Sequence, residues 1–389
     1  MTQPALDGEV GIEARAPLAR PAPAARWIFS LPVDLAVFVL PALIALGLVT
    51  WLAPERARGE SPEWVWICSV LLVDVAHVWS TAFITYASPS ELRRHAERYW
   101  LVPAIGWVAG VLLYGLGGAG LFWRVLAYLA VLHFVRQQYG WMALYRARAR
   151  DRGRAGAWID GLAIYAATLY PLLWWHAHLP RRFAWFIDGD FAPGLPQLAA
   201  DLAGLIYGLS LAAYVARAVA RALRGELVPW GKHLLLVATA LSWYGGIVAS
   251  NDDLAFTLTN VLAHGVPYAV LVFSYARFTR EPGPASRLLG GSTGGALLRF
   301  LGCLWLLAFL EELLWDRGLW HERPALFGAG RFEALAELEG WLVPVLALPQ
   351  LCHYVLDALL WRRATNPALA VWLGRHGSGE PRRGSCEER

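Results

Sequence analysis

The sequence predicts an all-α fold, a polytopic integral membrane bundle of about ten transmembrane helices with both termini on the cytoplasmic side. Three observations carry this prediction. Of 389 residues, 57% are hydrophobic and mean hydropathy is +0.41. Only 16% are charged, against roughly 25% in soluble domains. Apolar runs of about 20 residues recur along the chain, each enough to cross a hydrocarbon core roughly 30 Å thick. Within lipid every backbone polar group has to bond inside its own segment, which selects helices. The 21 Trp and 14 Tyr fit aromatic belts at the two interfaces and packing within the bundle.

Residues 1–27 are rich in Ala, Pro and charge and lack an apolar h-region, so they read as a disordered cytoplasmic tail and not as a signal peptide. The bundle occupies residues 28–365, and a polar, Gly-rich tail is expected over 366–389. The first two spans are placed at 32–51 and 63–86. A Gly-rich break at 115–120 (GLGGAG) separates the third, 101–119, from the fourth, 123–145. A loop at 180–196 separates the fifth, 158–177, from the sixth, 198–217. The turn Asn251-Asp252-Asp253 joins the seventh, 233–250, to the eighth, 254–275. A longer connection at 315–339 lies between the ninth, 296–314, and the tenth, 341–361.

Positive charge orients these spans. Arg93, Arg94 and Arg98 follow the second span, Arg146 to Arg154 the fourth, and Arg217, Arg221, Arg224 and Lys232 the sixth. Arg277, Arg280, Arg287 and Arg299 follow the eighth, and Arg362 and Arg363 the tenth. All these connections fall on one side together with both termini, which the positive-inside rule places in the cytoplasm of a cell bounded by its inner (plasma) membrane. The net charge of +4 is thus an orientation signal with anionic headgroup contacts, and no nucleic-acid partner is implied. Cys68, Cys303, Cys352 and Cys386 show no paired spacing, so neither disulfides nor a zinc ribbon is expected.

Four histidines stand inside four of the spans: His77, His133, His264 and His353. Each has a polar companion three or four residues away, on the same helical face: Asp74, Gln137, Asn260 and Asp357. Counted from the outer end of each span, the histidines lie 14, 10, 10 and 12 residues deep. At 1.5 Å per residue that is about 15–21 Å, a common layer near the midplane. Ionisable groups at this depth are costly and mark function. Neutral imidazoles ligate iron, zinc, copper or nickel. Their second ring N–H is held by a carboxylate, carbonyl or amide, a role open to Asp74 and Asp357 directly or through a shared neighbour on an adjacent helix. Gln137 and Asn260 are further orienting candidates, and Asp74 and Asp357 are candidate catalytic or ligating carboxylates. Hydrogen-bonded structural histidines and a proton relay of Asp and His in a transporter are alternative readings of the same residues.

Other polar residues carry less. Arg136 beside Gln137 is expected to neutralise Asp74, Asp34 to serve structure, and the His176/His178 pair to sit in an aromatic belt. Glu311 and Glu312 lie near the outer boundary of the ninth span and are expected to face a cavity.

The histidine stretches are LHF at 132–134, LAHGVPY at 262–268, LPQLCHYVLD at 348–357 and DVAH at 74–77. In order and character they resemble motifs of the membrane-bound β-carotene dioxygenases of the Brp/Blh type. The resemblance implies four helix-borne histidines around a non-haem iron, Fe(II), and oxidative cleavage of a carotenoid. The reading expected here is an iron oxygenase in the bilayer acting on an apolar small molecule, a carotenoid or lipid. A proton-coupled transporter and a non-catalytic membrane protein are the alternatives.

Overall fold

Long apolar segments punctuated by Pro, Gly and Arg fold into helices throughout. A computed structural model describes residues 24–59, 61–279, 282–362 and 366–375, and no strand occurs among them. The main helices are α1 (Leu31–Trp51), α2 (Glu63–Ile84), α3 (Ala96–Arg148), α4 (Arg154–Ala177) and α5 (Gln197–Leu223). They continue with α6 (Trp230–Trp243), α7 (Asp253–Thr279), α8 (Thr293–Trp315), α9 (Glu339–Leu360) and α10 (Pro367–Arg375). Among the described residues, six helices (α1, α2, α3, α5, α7 and α9) are long and apolar enough to cross a membrane. The stretches expected as fifth, seventh and ninth spans are helical as α4, α6 and α8.

α5 carries an exposed apolar stripe consistent with contact to a bilayer. Leu198, Leu202, Leu205 and Leu209, one stripe at helical spacing, are each more than half exposed. In water such a patch would be a liability, whereas against acyl chains it costs nothing.

The break expected at GLGGAG is a single residue. Gly118 has φ 65° and ψ −167°, outside the helical region and accessible to glycine alone without strain. There α3 folds back: the rings of Tyr114 and Phe122 are 6.0 Å apart, and a Cβ placed on Gly110 would lie 3.2 Å from Phe122. Twelve residues of continuous helix would separate those positions by about 18 Å. α3 is therefore two arms, and the second carries His133.

The Arg-rich connections are tied to each other and to both ends of the described chain. Ala25 N donates to Arg148 O (2.9 Å), Gly231 N to Arg26 O (3.3 Å), and Arg148 Nη1 to Leu373 O (2.6 Å). Ile28, the first residue of the expected bundle, is fully buried, and Pro367–Arg375, within the stretch expected as the C-terminal tail, forms α10 with Leu369 and Trp372 fully buried. Trp372 packs edge-on against Phe29 (5.6 Å). The apolar Leu369 and Trp372, three apart, give this short helix a face that the polar composition around it obscures. Residues 1–23 and 376–389, the rest of the two predicted tails, and Cys386 with them, lie outside the described residues; Cys68, Cys303 and Cys352 are free.

Several cations at this end are paired within the protein. Asp160 is fully buried and accepts from Arg146 Nη1 (2.7 Å), Lys232 Nζ (2.8 Å) and Arg217 Nη1 (3.3 Å). Asp151 pairs with Arg146, Arg217 and Arg221. Burial pushes its carboxyl up, but the Arg217 hydrogen bond and these three positive charges outweigh burial and hold it below the ordinary carboxylate value. Asp34 caps the start of α1, accepting from Ile28 N, Phe29 N and the Tyr145 hydroxyl.

A second ion pair closes the far end of α1. Arg56 Nε and Nη2 grip Asp252 Oδ1 and Oδ2 at 2.9 and 2.6 Å, a bidentate geometry. Burial raises the Asp252 carboxyl, yet the Arg56 hydrogen bond and the Ala255 N–H leave it below its ordinary value. With the folded value below the unfolded one, the pair stabilises the fold above the unfolded carboxylate pKa of about 3.9. That contribution disappears as pH falls through the folded value. Asp252→Asn is therefore expected to lower the thermal unfolding temperature at pH 7, and the difference from wild type should close below about pH 4. A difference that does not change with pH would show that the pair acts through something other than charge.

Candidate metal site

His77 stands on α2, His133 on the second arm of α3, His264 on α7 and His353 on α9, and the bundle brings the four imidazoles together. Neighbouring ring centroids are 4.8 Å apart for His77–His264, 5.0 Å for His264–His133, 4.6 Å for His133–His353 and 4.9 Å for His353–His77. The His264–His353 diagonal is 6.4 Å. The four rings thus close a small quadrilateral, each ring at most 6% exposed. Potential ligand nitrogens of His77, His264 and His353 all lie within 4.8 Å of one another. A buried cluster of this kind is able to hold a metal ion.

The hydrogen bonds say which nitrogens face inward. His353 Nδ1 meets Thr81 Oγ1 at 2.9 Å, and Thr81 in turn meets the Tyr268 hydroxyl at 3.0 Å. His77 Nδ1 meets Val73 O at 3.2 Å with Asp74 Oδ1 3.8 Å away, and His133 Nδ1 has Asp357 Oδ2 at 3.6 Å. In contrast, Nε2 of His77, His133 and His353 and both ring nitrogens of His264 are buried with no hydrogen-bond partner. Leaving one buried polar atom unsatisfied costs about 1–3 kcal/mol. One such nitrogen on each imidazole fits a ligand set whose inner lone pairs await a cation; the other nitrogen faces a polar neighbour in His77, His133 and His353 and has none in His264.

Aromatic rings wall the cluster. Phe134 stacks on His264 (3.5 Å between centroids, 9° between planes) and Tyr354 on His133 (4.9 Å, 29°). Gly265 permits the close approach of α7 to α2, since a Cβ there would lie 2.8 Å from Val73 Cγ1 and 3.2 Å from His77 Nδ1. The residues before His77, Ile67–Val75, are π-helical, a distortion frequent at functional sites that resets the face on which Asp74 and His77 project.

The companions differ in part from helical spacing. Asp357, four residues after His353, lies against His133 on the neighbouring helix. Gln137 is buried, but neither its Oε1 nor its Nε2 has a partner. Asn260 turns Nδ2 to Phe256 O (3.0 Å) and Thr259 Oγ1 (3.3 Å), not to His264. Helical spacing puts two side chains on one face; it does not make them meet when backbone or a third helix is closer. Arg136 donates to the Tyr165 hydroxyl at 2.9 Å, in place of the expected Asp74. His176 and His178 each bond the carbonyl four residues back through Nδ1. Thr81 and Tyr268 escaped the sequence reading, although each follows a histidine by four residues.

Beside the cluster lies a cavity of about 570 Å³, to which Asp74, Phe134, Asn260, Glu311, Glu312 and Tyr354 contribute. Asp357→Ala is expected to weaken metal binding by about 10–100-fold, the usual effect of removing a group that orients a ligating histidine. Competition with a chelator measures this, and an unchanged affinity would remove Asp357 from that role.

Fold and cluster together define a helical bundle with membrane-competent helices and a buried histidine site suited to a metal ion. Protein-family models gave no match to the chain, and comparisons with curated proteins and with solved structures gave none either.

Proposed function

We propose that the protein is a membrane-embedded, histidine-ligated non-haem iron oxygenase acting on an apolar substrate, a carotenoid or a membrane lipid. The observation that carries this reading is the set of five partnerless ring nitrogens on four mutually adjacent, buried imidazoles. Iron is the metal of choice because the four stretches around these histidines resemble those of iron-dependent β-carotene dioxygenases. The donor set itself suits Fe(II) among other borderline metals. Rings only 4.6–5.0 Å apart leave space for one ion and none for a porphyrin.

In this reading His77, His133, His264 and His353 bind Fe(II), which when bound supplies electrons and Lewis acidity for reaction with O2. The Asp357 carboxylate, 3.6 Å from His133 Nδ1, orients that ring by its charge, and Thr81 fixes the His353 ring. Asp74, lining the cavity beside His77, is placed to hold or pass a proton next to the substrate. Phe134 and Tyr354 keep water from the cluster, which suppresses side reactions. The substrate lies in the adjoining cavity, whose wall includes Trp66, Trp123, Trp185 and Trp315. The bundle sits in the plasma membrane with about ten crossings and its Arg-rich end in the cytoplasm.

Metal analysis after iron-replete expression tests the proposal. Detergent-purified protein is expected to carry about one equivalent of iron per chain and to consume O2 with a carotenoid or lipid substrate. Less than about a tenth of an equivalent of any tightly bound transition metal would sink it. The carboxylates of the cavity favour one rival, a proton-coupled transporter, whose signature is gradient-driven uptake indifferent to iron.

A further inference from the structure

The four histidines are 1–6% exposed, so an ion that binds them has to pass through the bundle, and two cavities approach from opposite ends. α7 begins at Asp253 in the wall of one and ends at Thr279 in the wall of the other. α2 likewise contributes Trp66 to the first and Ile84 to the second. The second cavity, about 530 Å³ and at the Arg-rich end, is lined among the described residues by Arg94, His95 and Arg98 with one acid, Glu91. The excess of arginine over acid in that described lining disfavours a cation.

The first cavity is its opposite in charge. Asp188, Asp253 and Glu322 are exposed in its wall, and Asp74, Glu311 and Glu312 lie deeper, half-buried. Arg323, the one cation in the lining among the described residues, is already occupied, with its guanidinium 3.9 Å over the Trp66 ring and 3.2 Å from Glu322 Oε2. Asn260, 3% exposed, leaves Oδ1 in the wall without a partner. Carboxylate and amide oxygens therefore run from the exposed rim to Asp74, which stands 3.8 Å from His77 Nδ1. Such a lining raises the local concentration of cations and offers hard oxygen ligands that replace hydration waters in stages.

We propose that this carboxylate-lined cavity is the route by which a hydrated divalent cation reaches the four histidines, from the end of the bundle opposite the Arg-rich connections. It rests on the reading that the histidines hold a metal. The step is ligand exchange alone: water on the ion is replaced by carboxylate oxygen, then by neutral imidazole nitrogen, with no redox change. Arg94 and Arg98 at the other cavity disfavour entry from that side, so the two differently charged ends make the path one-sided.

The test follows the rate of loading, not turnover. Full-length protein in detergent is stripped with a chelator and mixed with Co2+, whose visible absorption reports nitrogen ligation. The Glu311→Gln/Glu312→Gln variant is expected to load at least about tenfold more slowly at low salt, within the range electrostatic focusing supplies, and to reach wild-type occupancy. Added salt should slow the wild type, while Arg94→Gln at the other cavity should leave its rate unchanged. Should the inner pair fail to fold, Asp188→Asn/Glu322→Gln at the exposed rim is expected to slow loading by a smaller factor. Full-speed loading in a folded variant of either pair, or a wild-type rate insensitive to salt, overturns the route while leaving the metal site standing. A wild type that takes up no Co2+ overturns the metal reading itself.

Discussion

His264→Ala is expected to leave the purified protein with less than about a tenth of the metal bound by the wild type. The effect should exceed that of Asp357→Ala, because His264 presents its own nitrogens to the cluster. Both are buried and partnerless, and its ring neighbours His77 and His133 at 4.8 and 5.0 Å. The stability of the metal-free protein provides an independent readout. Alanine removes two unsatisfied buried nitrogens, so the apo variant should unfold at or above the temperature of apo wild type, apart from the cavity left under Phe134. The stabilisation that metal gives the wild type, which follows RT ln(1 + [L]/Kd), should disappear from the variant. His77→Ala and His353→Ala should behave alike. His133→Ala separates a three-histidine site from a four-histidine one, since potential ligand atoms of His77, His264 and His353 already lie within 4.8 Å of one another. Retention of metal within about tenfold of wild type would make His133 a neighbour and not a ligand. Wild-type metal content in His264→Ala would remove the site altogether.

How much of this was legible in the sequence depends on range. Helices, their approximate ends and the layer of four histidines follow from local properties, namely apolar run length, Gly and Pro placement, and a count of residues from the interface. The break in α3 belongs here too, because GLGGAG contains a residue, Gly118, that alone accepts the required backbone angles. What eluded the sequence depends on which helix lies next to which. Asp357 serves His133 and not His353, because α9 packs beside the second arm of α3 and the carboxylate reaches across. Thr81 belongs to the His353 ring for the same reason. The π-helical Ile67–Val75 changes the angular spacing on which same-face reasoning depends. Acids scattered over three helices and two connections give no local signal that they share one cavity. Likewise Arg146, Arg217 and Lys232 look like topology signals until Asp160 is found among them.

That buried acid carries the second large effect. Asp160→Ala is expected to destabilise the protein by about 3–5 kcal/mol, the cost of leaving buried partners of an ion pair without their counter-charge. Lys232, 2% exposed, loses its 2.8 Å partner, and the carboxylate that Arg146 and Arg217 share disappears with it. Asp151 continues to pair with the two arginines but does not bond Lys232. If the unpaired ammonium is the main cost, Asp160→Leu/Lys232→Met should recover much of the stability, since apolar residues of similar volume often replace a buried ion pair without loss. The same change bears on the metal site through α3: Arg146 stands 13 residues beyond His133 on one arm, about 20 Å along the helix. The network holds that arm against α4, α5 and α6. Looser packing there should raise the metal dissociation rate of Asp160→Ala by less than the loss of a ligand does, because α2, α7 and α9 still present three imidazoles. Thermal unfolding in detergent with and without metal measures both effects. An Asp160→Ala protein as stable as wild type would mean that the cations find other partners, and the network would then hold nothing in place.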